Sequence, residues 1–450
     1  MIMNLTRRRF LQAGTAGVGI SALNLAAFPA FANSFNQCQN GYRAIVGIDL
    51  AGGNDGYNML IPTAATANAQ YRALRGNLAL DDSACIHLDA VNDAAKLALN
   101  PAMVALKPYW DNANLVPVVN LGPLTQRVNN IIYDETTRPA HLFSHSHQST
   151  MVQSHATQSL SKEGFGAKTS TELGSMLRNL NELSPMFDIG GTQVWTNCIE
   201  AQSNSVGSQP PSDIFNDDRS RTLFDRLQST GSYNNVFQSH YASVAVDSTN
   251  MYEQFSAILN AEITDVFPDT RIGKQLKAVF KLILHKDQFQ HPAQYFSCKL
   301  GGFDTHSAQL NRQTGLLQDL AEAMAAFQLA LQNHGLFDQV TTFTHSEFGR
   351  TLIPNGTDGT DHGWASHALV MGGGVAGQTV VGEYPDLSEQ SPYLLSRGRV
   401  IPTISSDQLH ASLMAWLGLT EEGINRLFPA LDNTLTDSIQ PQTLPLFKSC

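Results

Sequence analysis

Hydrophobic positions along the chain fall into two alternating patterns. Short apolar, β-branched runs occupy Arg43 to Leu50 (RAIVGIDL), Asn114 to Asn120 (NLVPVVN), Tyr295 to Cys298, Val340 to Thr344 and Ala368 to Met371. Runs of this length and composition predict buried strands. Elsewhere apolar residues recur every three or four positions. Ile272, Leu276, Val279, Phe280, Ile283 and Leu284 predict one amphipathic helix, and Leu316, Leu317, Leu320, Met324, Phe327 and Leu331 another. Leu223 to Ile263 reads as largely helical, and Asp407 to Leu417 as a last amphipathic helix with Leu409, Leu413 and Trp416 inward. Pro62 to Asn100 reads as mixed helix and loop, Val380, Val381 and 400–404 as short edge strands, and 200–218 as a polar linker or surface loop. Strand, helix, strand in succession implies right-handed parallel crossovers, hence an α/β chain.

The amino-terminal stretch follows a different logic. Thr6-Arg7-Arg8-Arg9-Phe10-Leu11-Gln12 precedes a mildly apolar Gly/Ala-rich segment and an A-x-A cleavage site at Ala30-Phe31-Ala32. Paired arginines in that setting predict a twin-arginine export signal over 1–32, and a periplasmic or secreted destination. Gly14, Gly17, Gly19, Asn24 and Pro29 make the same segment a poor membrane-spanning helix.

Formal net charge over the 450 residues is −11, and removing Arg7, Arg8 and Arg9 with the signal makes the remainder more acidic still. An acidic chain without a basic stripe excludes nucleic acid and anionic membrane as main partners. No later stretch is long and apolar enough to span a bilayer. Cys38, Cys85, Cys198, Cys298 and Cys450 stand singly. No C-x-x-C pair is present, so a thiolate zinc site is not expected, and the odd number leaves at least one thiol unpaired or intermolecular.

The candidate chemistry gathers where predicted strands end, which in an open parallel sheet is where ligands bind. The first strand empties into Gly52-Gly53-Asn54-Asp55-Gly56, where Asp55 is either a ligand poised over the sheet edge or a plain turn residue. His141 to His155 is dense in Ser and His. Ser144 stands just ahead of a predicted helix, as an N-cap or as a nucleophile near helix N–H groups, and His145, His147 and His155 are either ligands or solvated. After the Tyr295–Cys298 strand, Asp304 and His306 are two apart and project from one face of an extended backbone, so they can meet one ion. The Val340–Thr344 strand delivers His345, Glu347 and Arg350, and the Gly/Asp-rich loop after it brings Asp361, His362 and His367. Arg350 can hold an anionic substrate or pair with Glu347.

Taken together, the twin-arginine start, G-G-N-D-G-Y-N, G-G-F-D-T-H-S-A-Q, S-E-F-G-R-T and T-D-H-G before a G-G-G-V run resemble the exported bacterial domain-of-unknown-function family fifteen-oh-one. That family is itself similar to the alkaline-phosphatase and sulfatase superfamily. The resemblance implies a three-layer α/β/α sandwich with a mainly parallel central sheet and a helical insertion, here 200–287. It also implies one or two divalent metals, zinc the expected ion, and a Ser or Thr nucleophile. On the matching positions Asp304, His306 and His362 would form one metal site, and Asp55 and Glu347 would share a second with Ser144. Phe348 stands where a second-site ligand is expected, with His345 as its substitute. No C-x-P-x-R surrounds any cysteine, which excludes the formylglycine nucleophile of sulfatases.

The expected function is an exported metal-dependent hydrolase of phosphate or sulfate esters, acting on a small anionic ester. The alternatives are a non-catalytic binding or assembly protein on the same fold and a metal-assisted transferase or mutase.

Overall fold

The computed structural model describes residues 41–448 except 157–159, 174–183, 198–202, 211–214, 216, 229–232, 234 and 435–441. The export signal and Cys38, Cys198 and Cys450 lie outside the described residues; Cys85 and Cys298 are buried free thiols.

Eight strands make the central sheet: β1 (Arg43–Ala51), β2 (Leu115–Gly122), β3 (Met186–Asp188), β4 (Asn204–Ser205), β5 (Ala293–Gly301), β6 (Val340–His345), β7 (Ser366–Met371) and β8 (Ile404–Ser405). Their order is β8-β2-β7-β6-β1-β5-β3-β4. β1 lies parallel between β5 and β6, while β7 runs antiparallel to both of its neighbours. Every residue of β2, β6 and β7 is buried, which explains their continuous apolar character.

The main helices are α1 (Ala65–Arg75), α2 (His145–Ser154), α3 (Phe165–Leu173), α4 (Asp218–Gln228), α5 (Val236–Asn260), α6 (Arg271–Leu284), α7 (Gln309–Asn333) and α8 (Ser406–Trp416). Alternation along β1 sorts them into two layers. Ala44, Val46, Ile48 and Leu50 pack with Phe255 of α5, Leu276 and Val279 of α6 and Leu320 and Phe327 of α7. Ile45, from the opposite face, packs with Phe165 of α3 and with Leu409 and Leu413 of α8. The result is the expected three-layer α/β/α arrangement.

Most predicted strands and helices recur with their ends moved by a few residues, but Val381 makes only an isolated bridge to Val118, and β4 falls within 200–218, which its polar composition marked as linker. Residues 62–100 differ in kind, because besides α1 they supply two strands of a small antiparallel sheet ordered 60–62, 97–99, 86–87. These strands are two or three residues long, too short for an alternation to register in the sequence.

Candidate metal centre

Each functional side chain is aimed by the turn that follows its strand. β1 runs out into Gly52, whose backbone has φ +118°. A Cβ there would sit 2.3 Å from the Asp304 backbone nitrogen, so glycine is required by both conformation and space. The Gly52 N–H donates to Glu347 Oε1 at 2.9 Å, and its carbonyl accepts from Arg350 Nη1 at 3.1 Å. One residue therefore fixes the loops after β5 and β6. The chain beyond β6 then doubles back, with Arg350 and His362 paired as an antiparallel bridge, and this returns His362 to the same sheet edge.

Asp304, His306 and His362 converge. His306 Nε2 lies 3.0 Å from Asp304 Oδ1 and 3.1 Å from His362 Nε2, and His362 Nε2 lies 3.3 Å from Asp304 Oδ1. At zinc–ligand distances of about 2.0–2.1 Å, a tetrahedral set places its donor atoms about 3.3 Å apart. The three separations fit that spacing.

His145, the first residue of α2, joins them: one ligand atom from each of His145, Asp304 and His362 lies within 4.8 Å of the others. Its Nε2 is buried without a hydrogen-bond partner and 3.6 Å from Asp304 Oδ2.

The outer ring of contacts fixes the protons. His145 Nδ1 is 2.8 Å from Glu347 Oε1, His306 Nδ1 is 3.2 Å from Asp361 Oδ1, and His362 Nδ1 is 2.8 Å from the Phe143 carbonyl. Ionised carboxylates and carbonyls only accept, so each neutral imidazole carries its hydrogen on Nδ1 and turns a lone pair outward from Nε2. Two such lone pairs 3.1 Å apart repel unless a proton or cation lies between them. Histidines that bind a metal hold their outer ring nitrogen against a carboxylate or carbonyl in the same way.

Electrostatics support ionised acids here. Burial pushes the Asp304 carboxyl upward, but the hydrogen bond and charge of Arg350 outweigh it, leaving a net lowering. Burial likewise opposes ionisation of Glu347, and the His145 hydrogen bond and backbone N–H groups overcome it. Side-chain exposure is 45% at Asp304 and His306, so a solute can approach from that side.

The other expected site residues go elsewhere. Asp55 faces into the protein, its carboxylate held by Arg75 and by Gln309 at the start of α7, with both members of the ion pair fully buried. Glu347 is spent on His145 and Gly52, one step behind the cluster. Arg350 is buried and bonded to Asp304 Oδ1 (2.7 Å), Gly52 and Thr360. Its fork is therefore filled by the protein rather than free for an anion. Phe348 packs its ring 4.8 Å from those of both His145 and His362, walling the cluster with apolar surface.

His345 points away. Its ring stacks on Phe343 and lies 5.9 Å from His410, and both nitrogens are buried without a hydrogen-bond partner. Burial lowers its pKa to about 4. His410 in turn meets His155 (3.1 Å), which is bonded to Asp407 (2.7 Å). His367 is also buried, accepting from the Asn120 N–H at 3.0 Å.

Ser144 caps α2 without a side-chain capping bond, and its Oγ lies 2.9 Å from His147 Nδ1. Its two chain neighbours are both tied to the cluster, Phe143 through the carbonyl that holds His362 and His145 through Glu347.

Residues 224–442 match the family model described as protein of unknown function (DUF1501). This is the family its motifs pointed to. The DUF1501 match includes Asp304, His306, Glu347, Arg350 and His362, while Asp55 and the Ser144 segment precede it. No curated protein matches the chain.

Among solved structures it is similar to the C-terminal periplasmic domain of EcEptC from Escherichia coli, in complex with Zn, at 9% identity over 75% of this chain and 74% of that one, TM-score 0.32. It is similar to the PsFucS1 sulfatase from Pseudoalteromonas sp. at 10% identity over 81% and 69%, TM-score 0.31. A third similarity is to the phosphonate monoester hydrolase of Agrobacterium radiobacter, at 10% identity over 80% and 74%, TM-score 0.26.

Proposed function

We propose that the protein is an exported metal-dependent hydrolase of phosphate or sulfate esters, built on one divalent ion. The observation that carries this reading is the convergence of Asp304 with three Nε2-directed histidines, each oriented through its Nδ1. His145, Asp304, His306 and His362 would hold the ion, and nitrogen and carboxylate donors at this spacing suit zinc. When bound, such an ion polarises an ester oxygen and stabilises negative charge on it.

The protein's own groups supply the rest. Ser144 Oγ, at the N-terminus of α2, is the nucleophile: it would form a bond to phosphorus or sulfur as the bond to the leaving alkoxide breaks, its proton passing to that alkoxide, and water would then cleave the seryl ester and restore the hydroxyl. His147, 2.9 Å from that hydroxyl, orients it. Arg350 anchors Asp304 and keeps it ionised, while Phe348 restricts water on one side. A second ion shared by Asp55 and Glu347 is not part of this proposal, since both carboxylates are committed to protein partners. Export rests on the paired arginines and the A-x-A site, and the helices within 200–287 would be the insertion on the α/β domain.

A second reading draws on the same cluster. Structural zinc sites are closed by four protein ligands, whereas catalytic ones keep a position open. Three histidines and Asp304 make four donors, which suits a binding or assembly protein with one structural ion.

The test is zinc content and ester turnover of protein recovered from the periplasm. About one zinc per chain with turnover abolished in Ser144→Ala supports the hydrolase. Zinc without turnover supports the structural reading, and metal-free, inert protein rejects both.

A further inference from the structure

The helical hairpin of α4 and α5 carries an apolar face that neither the hydrolase nor the structural reading uses. Leu223 and Leu227 are four apart on α4, and Phe237, Tyr241 and Val244 follow at spacings of four and three on α5, so each set forms one stripe. Their exposures are 58% and 54% on α4 and 84%, 72% and 47% on α5, with Val236 at 81%. Leu227, Phe237 and Tyr241 also line one groove of about 330 Å³ between the two helices. Farther along α5, Phe255, Ile258 and Leu259 enter the core, so the same helix is anchored at one end and apolar toward solvent at the other.

We infer that this hairpin face is a self-association surface, and that a second copy of the chain covers it. Two observations select that occupant. At typical side-chain areas the six residues expose roughly 700 Å², more than an ordinary surface patch and close to the ~800 Å² per partner of a standard stable interface. The nearby charges are also of both signs: Asp217, Asp218 and Asp225 stand with Arg219, while Arg221 pairs with Glu253 of α5 at 2.6 Å. An anionic membrane or a strongly basic partner would call for a rim of one sign. A two-fold pairing brings each rim against its own copy, where Arg219 of one chain can meet an Asp of the other. The grooves then receive the Phe237 and Tyr241 rings of the opposite hairpin, aromatic anchors of the kind that dominate interface energetics.

This inference is independent of the hydrolase reading and survives its failure. The test is sedimentation of the purified folded protein from about 1 to 100 µM. A dimer is expected. The double variant Phe237→Glu/Tyr241→Glu should weaken self-association on the order of 100-fold, since each substitution acts twice across the two-fold. Its circular dichroism and melting temperature should be unchanged, because both side chains are exposed in the single chain. Phe237→Ala/Tyr241→Ala serves in its place if the charged pair misfolds, and Val91→Glu, at a fully exposed site outside both helices, should leave the dimer intact. A wild-type monomer throughout the range overturns the inference, as does a dimer that persists in the folded double variant. Monomeric protein that instead floats with lipid vesicles would also overturn it, by assigning the face to a membrane.

Discussion

Glu347→Gln isolates the role of the carboxylate behind the cluster. The amide has the same shape and buries the same surface, so packing is conserved. What changes is the acceptor facing His145. In the native protein Glu347 Oε1 receives His145 Nδ1 at 2.8 Å and the Gly52 N–H at 2.9 Å, and its charge fixes the His145 hydrogen on Nδ1. Glutamine supplies only one acceptor atom without a full charge, and its amino end would confront a donor if it took that place. The imidazole is then free to flip or to shift its hydrogen to Nε2, which removes one of four donors for part of the time. Loss of such a partner typically costs 10- to 100-fold in metal affinity, about 1.4–2.7 kcal/mol. The assay is competition for zinc against a chelator of known affinity, with His145→Ala alongside as the limit of complete donor loss. Affinity unchanged in Glu347→Gln and reduced in His145→Ala would show that the carboxylate does not orient the histidine. Affinity unchanged in both would remove His145 from the ligand set altogether.

Asp55 should behave in the opposite way. Asp55→Ala leaves the Arg75 guanidinium buried without its partner, a loss of about 3–5 kcal/mol seen as a lower denaturant midpoint, with zinc content unchanged in the folded fraction. Zinc loss without destabilisation would return Asp55 to the ligand set.

The pH dependence of stability should carry the mark of buried neutral histidines. Burial lowers His345 to about 4 and His367 to about 3, so the folded chain refuses protons that the unfolded chain accepts near pH 6.5. Their contribution is complete above about pH 6.5 and is lost as pH falls toward 4. The stability difference between wild type and His345→Phe should be about 2–3 kcal/mol smaller at pH 4.5 than at pH 7.5, read from urea unfolding. A difference independent of pH would contradict the burial of a neutral imidazole. Asp49 has the opposite sign: burial, then the charge of Glu347, raises its carboxyl to about 7, so its contribution is greatest at low pH and fades by neutrality. Asp49→Asn should therefore steepen the acid sensitivity.

The sequence by itself determined the main strands and helices and the sheet edge at which the acids and histidines gather. Buried strands and core helices declare themselves because burial on one or both faces demands an apolar period, and Asp304, His306 and His362 were legible because each follows a strand at the carboxyl edge. Spacing of two placed Asp304 and His306 on one face before any tertiary contact was known.

Tertiary structure alone decided which acids join the histidine cluster. Asp55 and Glu347 carry the same charge and similar loop positions, yet Arg75, ten residues into a different helix pattern, claims the first, and His145 claims the second. Nothing local marks those partners, since they come from 20 and 202 residues away. The same holds for His145, whose place at the start of α2 was visible while its partner was not. It holds too for Arg350, whose guanidinium is filled by Asp304, Gly52 and Thr360. A side chain's chemistry is set by what surrounds it, and long-range packing supplies those surroundings.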